Sequence, residues 1–295
     1  MEIAGTYPML YAFFDDAGAL RRDAISRQID AAIAAGASGI AVLGLGTEVH
    51  KLGRAERRTL VDWTMADTAG RLPVAVTIAD GNIPDMIDGA RFAQAAGAAF
   101  VILQPPRPPA SGAHLVDFFG AIADALDCPV GIQNAPEYLG IGLAADELLA
   151  LNRAHPNVTL VKAESTALTV ASVIDKVRGK LRVFNGRAGL ELLDNLRAGV
   201  DGMIPGTETI DLQVGIERAM RSGDEAHAEQ LYRRLLPAIV FMMQGLGTFL
   251  LYGKLIAAER LGLVPSQNRI PHETATPTGL AWAKRFAAEL GPLPV

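Results

Sequence analysis

Apolar residues fall along the chain in eight short runs: Tyr7 to Phe14, Gly39 to Leu43, Pro73 to Ile78, Phe100 to Gln104, Pro129 to Gln133, Val158 to Lys162, Leu181 to Phe184, and Gly202 to Ile204. Within a run the hydrophobic positions are consecutive rather than alternating. A strand buried on both faces produces that pattern, so a parallel sheet covered by helices is predicted. Successive runs start about 20 to 35 residues apart, the length of one strand–helix unit.

Between the runs the period changes. Ala24 to Ala35 places Ile25, Ile29 and Ile33 four residues apart, which makes one apolar helical face. Asp85 to Ala96, Leu115 to Leu126, Ala145 to Ala154, Thr169 to Val177 and Leu190 to Ala198 read as helices in the same way. Gly36, Gly97 and Gly199 follow three of these stretches, at the usual left-handed stop. Eight such units close into a (β/α)8 TIM barrel. An open doubly wound sheet is less well supported, because no Gly-x-Gly-x-x-Gly turn follows the first run. The barrel is predicted for residues 1–211. Residues 212–295 are predicted as C-terminal helices packed on it, one structural unit with no low-complexity linker.

Composition narrows the partners. The 295 residues carry a formal net charge of -5, which offers no general attraction to phosphate backbones or anionic lipid. Neither nucleic acid nor membrane is expected as a partner. The most membrane-like segment, Leu235 to Ala258, is interrupted by Pro237, Gln244, Gly245, Gly247, Thr248 and Lys254, and reads as a buried or interface helix. The N-terminus has neither a basic start nor a long apolar run. The single cysteine, Cys128, sits in an apolar stretch and reads as a structural thiol. A cytoplasmic setting is expected. The five histidines, His50, His114, His155, His227 and His272, show no ligand spacing, so neither metal nor other cofactor is expected.

In a barrel of this kind the chemistry sits at the C-terminal ends of the strands. Lys162 ends the sixth run, where it should point into or over the barrel mouth. Burying an ammonium is unfavourable and favours the neutral amine, a nucleophile for a ketone. The bland alternative is a strand-end lysine paired with a carboxylate such as Glu164. The turn Gly44-Leu45-Gly46-Thr47-Glu48 can bring backbone N–H groups and the Thr47 hydroxyl to a carboxylate, with Glu48 capping the next helix; a plain Gly-rich turn is the alternative. Gln133, in Gly131-Ile132-Gln133-Asn134-Ala135-Pro136, can orient a polar substrate but is a poor proton carrier.

These residues, in this order and spacing, resemble the dihydrodipicolinate synthase / N-acetylneuraminate lyase family. The resemblance runs through Gly5 to Phe14 with Asp16 and Gly18, Gly44 to Glu48, Pro73-Val74, Gln104-Pro105-Pro106, Asn134-Ala135-Pro136, Val161-Lys162, Asn185-Gly186 and Gly202-Met203-Ile204. It implies a barrel with C-terminal helices, commonly a homotetramer, and places the Schiff-base lysine on Lys162. It also implies substrate contacts at Gly46, Thr47, Asn134, Asn185, Gly186 and Ile204. There are departures. Leu45 and Gly46 stand where two hydroxyl residues are usual, and Thr47 where a second glycine is. Gln133 holds the place of the catalytic tyrosine. Tyr138 replaces the arginine that binds the second substrate's carboxylate in the synthases, and Arg107 the tyrosine of the relay across subunits. Synthase activity is therefore not expected.

The forms Gln133-Asn134-Ala135-Pro136 and Lys162-Ala163-Glu164 look more like the branch containing 2-keto-3-deoxyarabonate dehydratases. The resemblance implies a small-molecule 2-oxo acid partner and, after iminium formation at Lys162, dehydration of a 2-keto-3-deoxy sugar acid. Aldol cleavage to pyruvate and an aldehyde is the alternative, and a non-catalytic 2-oxo or sugar-acid-binding paralogue a second. With Gln133 in the tyrosine's place, the proton carrier falls to Tyr138, Glu164 or a bound water.

Overall fold

The computed structural model describes residues 3–106, 112–264 and 268–295. Eight parallel strands run β1 (Gly5–Thr6), β2 (Ile40–Val42), β3 (Val74–Ile78), β4 (Phe100–Leu103), β5 (Val130–Asn134), β6 (Val158–Ala163), β7 (Arg182–Asn185) and β8 (Gly202–Met203). Each pairs with its neighbour in sequence from β2 to β8, and β8 pairs with β1. Met9 closes the ring by bridging both Ala41 and Gly206. The Leu10 N–H donates to the Ala41 carbonyl, and the Ala41 N–H to the Pro8 carbonyl, each at 2.9 Å. The predicted barrel is the observed one.

Seven apolar runs coincide with strands to within one or two residues. The first does not: its ladder is confined to Gly5–Thr6 and the bridge at Met9. Pro8 has no N–H to give, and beyond Met9 the chain leaves the barrel wall towards an antiparallel bridge between Phe14 and Leu20. Leu10, Tyr11 and Phe13 belong to the run because they are buried, not because they extend the ladder.

Both faces of the wall are packed. Inside, the rings of Tyr7, Phe100 and Phe184 meet at centroid distances of 5.6, 5.7 and 6.4 Å and fill the lower lumen. Gly39 leaves the room that the Tyr7 ring occupies; a Cβ there would overlap it. Met9, Ile102, Leu160 and Ile204 belong to the same inner cluster. Outside, Val76, Leu103, Ile132, Val161 and Val183 share a second cluster with the helices.

The covering helices are α1 (Arg22–Ala35), α2 (Arg54–Thr68), α3 (Ile83–Ala95), α4 (Gly112–Ala123), the short α5 (Pro136–Leu139), α6 (Ala145–Ala154), α7 (Ala167–Val177), α8 (Leu192–Ala198) and α9 (Ile210–Arg221). Helix α2 escapes a reading by apolar period because charged residues crowd it and only Leu60, Val61, Thr64 and Thr68 are buried. Helix α9 packs beside α1 as the helix of the eighth unit. The additional C-terminal helices therefore start with α10 (Glu225–Met242). They continue through α11 (Leu246–Thr248), a π-helical stretch at Phe249–Gly253, α12 (Lys254–Leu261) and α13 (Pro277–Leu290).

The apolar segment Leu235 to Ala258 is thus bent, with 111° between Glu225–Met242 and Leu246–Leu261. Among the described residues no single helix is long and apolar enough to cross a membrane, although this bent pair passes by length and composition. Leu235, Ile239, Met242, Phe249 and Ile256 are buried in the cluster shared with the barrel helices. Arg260 ties α12 to the barrel. Its buried guanidinium pairs with Asp211 at 2.7 Å and donates to the Glu208 and Gly291 carbonyls at 2.6 Å each.

Candidate active site

Alternation along β6 puts Leu160, Lys162 and Glu164 on the lumen side. Leu160 belongs to the inner cluster, and the next two rise to the mouth. Lys162 is 3 % exposed and Glu164 4 %. Their side chains meet, Lys162 Nζ lying 2.7 Å from Glu164 Oε1. Gln133 is the register partner of Lys162 on β5, and its Nε2 donates to Glu164 Oε2 at 2.7 Å. Each oxygen of Glu164 therefore has one donor. The sequence offered a choice between a buried nucleophile and a lysine paired with Glu164; the structure shows a lysine that is both buried and paired with Glu164. An ammonium beside a carboxylate is well compensated in the interior, and that carboxylate is also placed to accept the proton that frees the amine.

Around this pair is a cavity of about 460 Å³ of free space, counted to its open mouth. Glycine at 186 makes the approach possible: a Cβ there would lie 2.6 Å from both Lys162 Cε and Glu164 Oε1. Gly186→Ala is expected to push the lysine from its place at a cost of about 1–3 kcal/mol in stability. Denaturant unfolding checks the cost, and slower covalent labelling of Lys162 by a 2-oxo acid checks the displacement. An unchanged labelling rate would refute the displacement.

The opposite wall is apolar, made by Met9, Leu45, Ile204, Met243, Leu246 and Phe249. The last three come from the C-terminal helices and their linking turn. Nothing in their local sequence marks them, because only the bend after α10 brings them over the mouth. In the β2 turn, Gly46 and Leu45 line the cavity, and their N–H groups donate to no backbone or side-chain acceptor among the described residues. Two successive amides without a partner in a turn can form an anion-binding nest.

Six of the ten residues singled out in the sequence line this cavity: Lys162, Glu164, Tyr138, Gly46, Gly186 and Ile204. Gln133 stands behind Glu164. The other three do not line it. The Thr47 hydroxyl donates to the Leu10 carbonyl at 2.6 Å and so faces the first segment rather than a ligand. Asn134 is used structurally: its amide exchanges hydrogen bonds with the backbone of Leu143 at 2.8 and 2.9 Å. Asn185 donates to the Ala163 carbonyl at 3.1 Å, tying β7 to β6. Glu48 makes no side-chain cap; its carboxylate is buried between Lys51 and Lys254, 2.8 Å from the latter. Burial alone would raise it, but the two ammonium groups prevail and hold it below the usual carboxylate range. Arg107 lies outside the described residues. No metal-holding group of three or more His, Cys, Asp or Glu occurs among the described residues.

Two features were not foreseen. Tyr138 shares a hydrogen bond with Arg187; burial pushes its phenol up and the guanidinium opposes this. Behind Gly206, a lining residue, Tyr11 donates to Glu208 at 2.8 Å with both side chains buried. Burial pushes the Glu208 carboxyl up from 4.5 to about 7. Such a group binds its proton more tightly folded than unfolded. Its support of the fold is complete below about pH 4.5 and is lost as pH rises through about 7. Glu208→Gln should therefore gain stability relative to wild type between about pH 5 and 8, by on the order of 3 kcal/mol at most. Thermal unfolding across that range checks it; a difference independent of pH would refute it.

Residues 2–279 match the model of the Dihydrodipicolinate synthetase family. Among curated relatives, a protein named probable 2-dehydro-3-deoxy-D-pentonate aldolase YjhH, from Escherichia coli, is 29 % identical over 81 % of this chain and 82 % of its own. L-2-keto-3-deoxyarabonate dehydratase from Azospirillum brasilense is 28 % identical over 80 % of this chain and 78 % of its own. Among solved structures, YagE from E. coli in complex with pyruvate superposes with a TM-score of 0.91 at 25 % identity, covering 98 % of this chain and 99 % of that one.

Proposed function

The chain belongs to the dihydrodipicolinate synthetase family, and from that premise we propose that it is a Schiff-base lyase that dehydrates a 2-keto-3-deoxy sugar acid at Lys162. One observation carries the reading: a buried carboxylate, Glu164, lies 2.7 Å from the buried amine in a cavity open to solvent. It supplies the proton transfer that Gln133, in the family tyrosine's place, cannot.

Glu164 accepts a proton from the Lys162 ammonium, and the free amine attacks the C2 ketone. Glu164 returns that proton to the carbinolamine oxygen, which leaves as water, giving an iminium and restoring the Glu164 carboxylate. The substrate carboxylate sits on the Leu45 and Gly46 N–H groups, main-chain donors that the two missing hydroxyl residues do not affect. The C3–H bond then breaks, its proton passing to Glu164 and its electron pair forming the enamine. When the C4–O bond breaks, Glu164 returns the proton to the departing hydroxyl, which leaves as water. The C3–C4 double bond forms and the iminium is restored. Water hydrolyses it, releasing an unsaturated 2-oxo acid and Lys162. Gln133 acts as a positioning residue, holding Glu164 through Oε2.

Aldol cleavage is the second reading, favoured by the aldolase names of relatives such as YjhH. It uses the same iminium, but Glu164 takes the C4 hydroxyl proton and the C3–C4 bond breaks. The two are separated by mass analysis of the products from a 2-keto-3-deoxy pentonate. A product lighter by one water supports dehydration; pyruvate plus a two-carbon aldehyde supports cleavage. A protein that turns over no such acid would be the non-catalytic binder. The proposal extends to a homotetramer, which light scattering tests.

A further inference from the structure

The turn after β2 is bracketed by two residues in the left-handed region, Leu43 at φ 65° and Glu48 at φ 58°. Neither is a glycine, and such backbone persists only where its surroundings over-determine it. Inside the turn, the Thr47 and Glu48 amides donate back to the Gly44 and Leu45 carbonyls at 3.1 and 2.9 Å, and the Gly44 amide donates to Met9 Sδ at 3.2 Å. Leu45 and Gly46, whose amides have no such acceptor among the described residues, line the cavity.

The far end of the turn is fixed from a distance. The buried Glu48 carboxylate pairs with Lys51, three residues on, and with Lys254, 206 residues on, at 2.8 Å from the latter. Lys254 opens α12 and is itself buried. Its Nζ lies 3.3 Å from Asn268 Oδ1 and over the rings of Phe14 and Phe13, at 5.0 and 5.7 Å from their centroids. An ammonium this deep is costly without such compensation, and nothing in the proposed chemistry uses it as an amine. The Lys51 pair holds Glu48 only to its own turn. The Lys254 pair ties that turn to the C-terminal helices.

We infer that Lys254 is a positioning residue for the reaction: through Glu48 it fixes the turn so that the Leu45 and Gly46 N–H groups meet the carboxylate of a 2-oxo acid. This rests on the reading of Lys162 proposed above. Release of Glu48 from α12 would let its backbone relax towards negative φ, and the bonds that shape the turn around the two amides would loosen with it. An anionic ligand would suffer most, since an N–H bond to a carboxylate is about twice as strong as one to a neutral oxygen.

The test uses two probes: pyruvate, and its methyl ester, which keeps the ketone and loses the charge. For each, the concentration giving half-maximal borohydride trapping at Lys162 is measured, with circular dichroism to check the fold. Lys254→Met keeps the stem and the Lys51–Glu48 pair but cuts the tie to α12. It should raise the pyruvate value by about tenfold and the ester's by less than about threefold. Lys51→Met, which leaves the Lys254–Glu48 pair, should move the pyruvate value less than Lys254→Met does. Lys254→Gln, which retains a donor, takes the place of Lys254→Met if that variant does not fold; failure of both to fold would assign Lys254 to stability alone and overturn the inference. Equal rises for the two probes, an unchanged pyruvate value, or an equal effect of Lys51→Met would each overturn it too and leave the Schiff-base reading standing. Absence of a wild-type adduct with either probe would overturn the reading at Lys162 and the inference with it.

Discussion

Lys162→Ala is expected to lose on the order of 10³-fold or more in turnover of any 2-keto-3-deoxy acid the wild type accepts, because no other group can form the covalent intermediate. Among the described residues lining the cavity, only Lys162 supplies an amine. The measurement pairs kinetics with borohydride reduction in the presence of pyruvate and peptide mapping. Wild type should gain the mass of a reduced pyruvyl adduct on the peptide containing Lys162, and the variant should gain none. Removing the lysine also leaves Glu164 buried without its counter-charge, so folding is checked by circular dichroism. Lys162→Met, which retains the bulk, guards against a merely structural loss. An adduct mapped to a different lysine would refute the assignment.

Glu164→Gln is expected to show a different deficit. The amide keeps the shape of the side chain and can still accept from Gln133, but it cannot carry a proton. Turnover should fall by about 10²- to 10⁴-fold, the range for loss of a general acid–base group. The adduct with pyruvate should still be trapped at saturating concentration. Exchange of the pyruvate C3 protons with deuterium from solvent, followed by mass spectrometry, isolates the step: wild type exchanges and the variant does not. Exchange at the wild-type rate in Glu164→Gln would assign the proton to another group, with Tyr138 the next to test.

The two residues differ in how openly the sequence displayed them. A lysine closing an apolar run is conspicuous by composition alone. Glu164 stood in the sequence as one of several candidates, and β6 running to Ala163 sets its side, because the two-residue period turns it towards Lys162. The barrel was legible for a similar reason: burial on both faces leaves uninterrupted hydrophobic runs, and only Pro8 and the departure of the chain after Met9 spoiled one of them. Thr47, Asn134 and Asn185 were less legible, because a polar residue at a strand end can face a ligand or, as these do, hydrogen-bond the neighbouring backbone. That choice depends on loop partners such as Leu10 and Leu143, which no local pattern announces. The apolar roof from Met243 to Phe249 and the Tyr11–Glu208 contact join segments some two hundred residues apart, and tertiary folding alone creates them.

The three rings of Tyr7, Phe100 and Phe184 have a kinetic consequence. By filling the lumen from below they close that end, so on the proposed function substrate, departing water and product would share the mouth at the C-terminal ends of the strands. Traffic through it is obligately one-way at a time: a product that lingers blocks the next arrival. Accumulating product should then behave as a competitive inhibitor, and the residues of the doorway, more than those of the chemistry, would set how quickly each cycle can begin again.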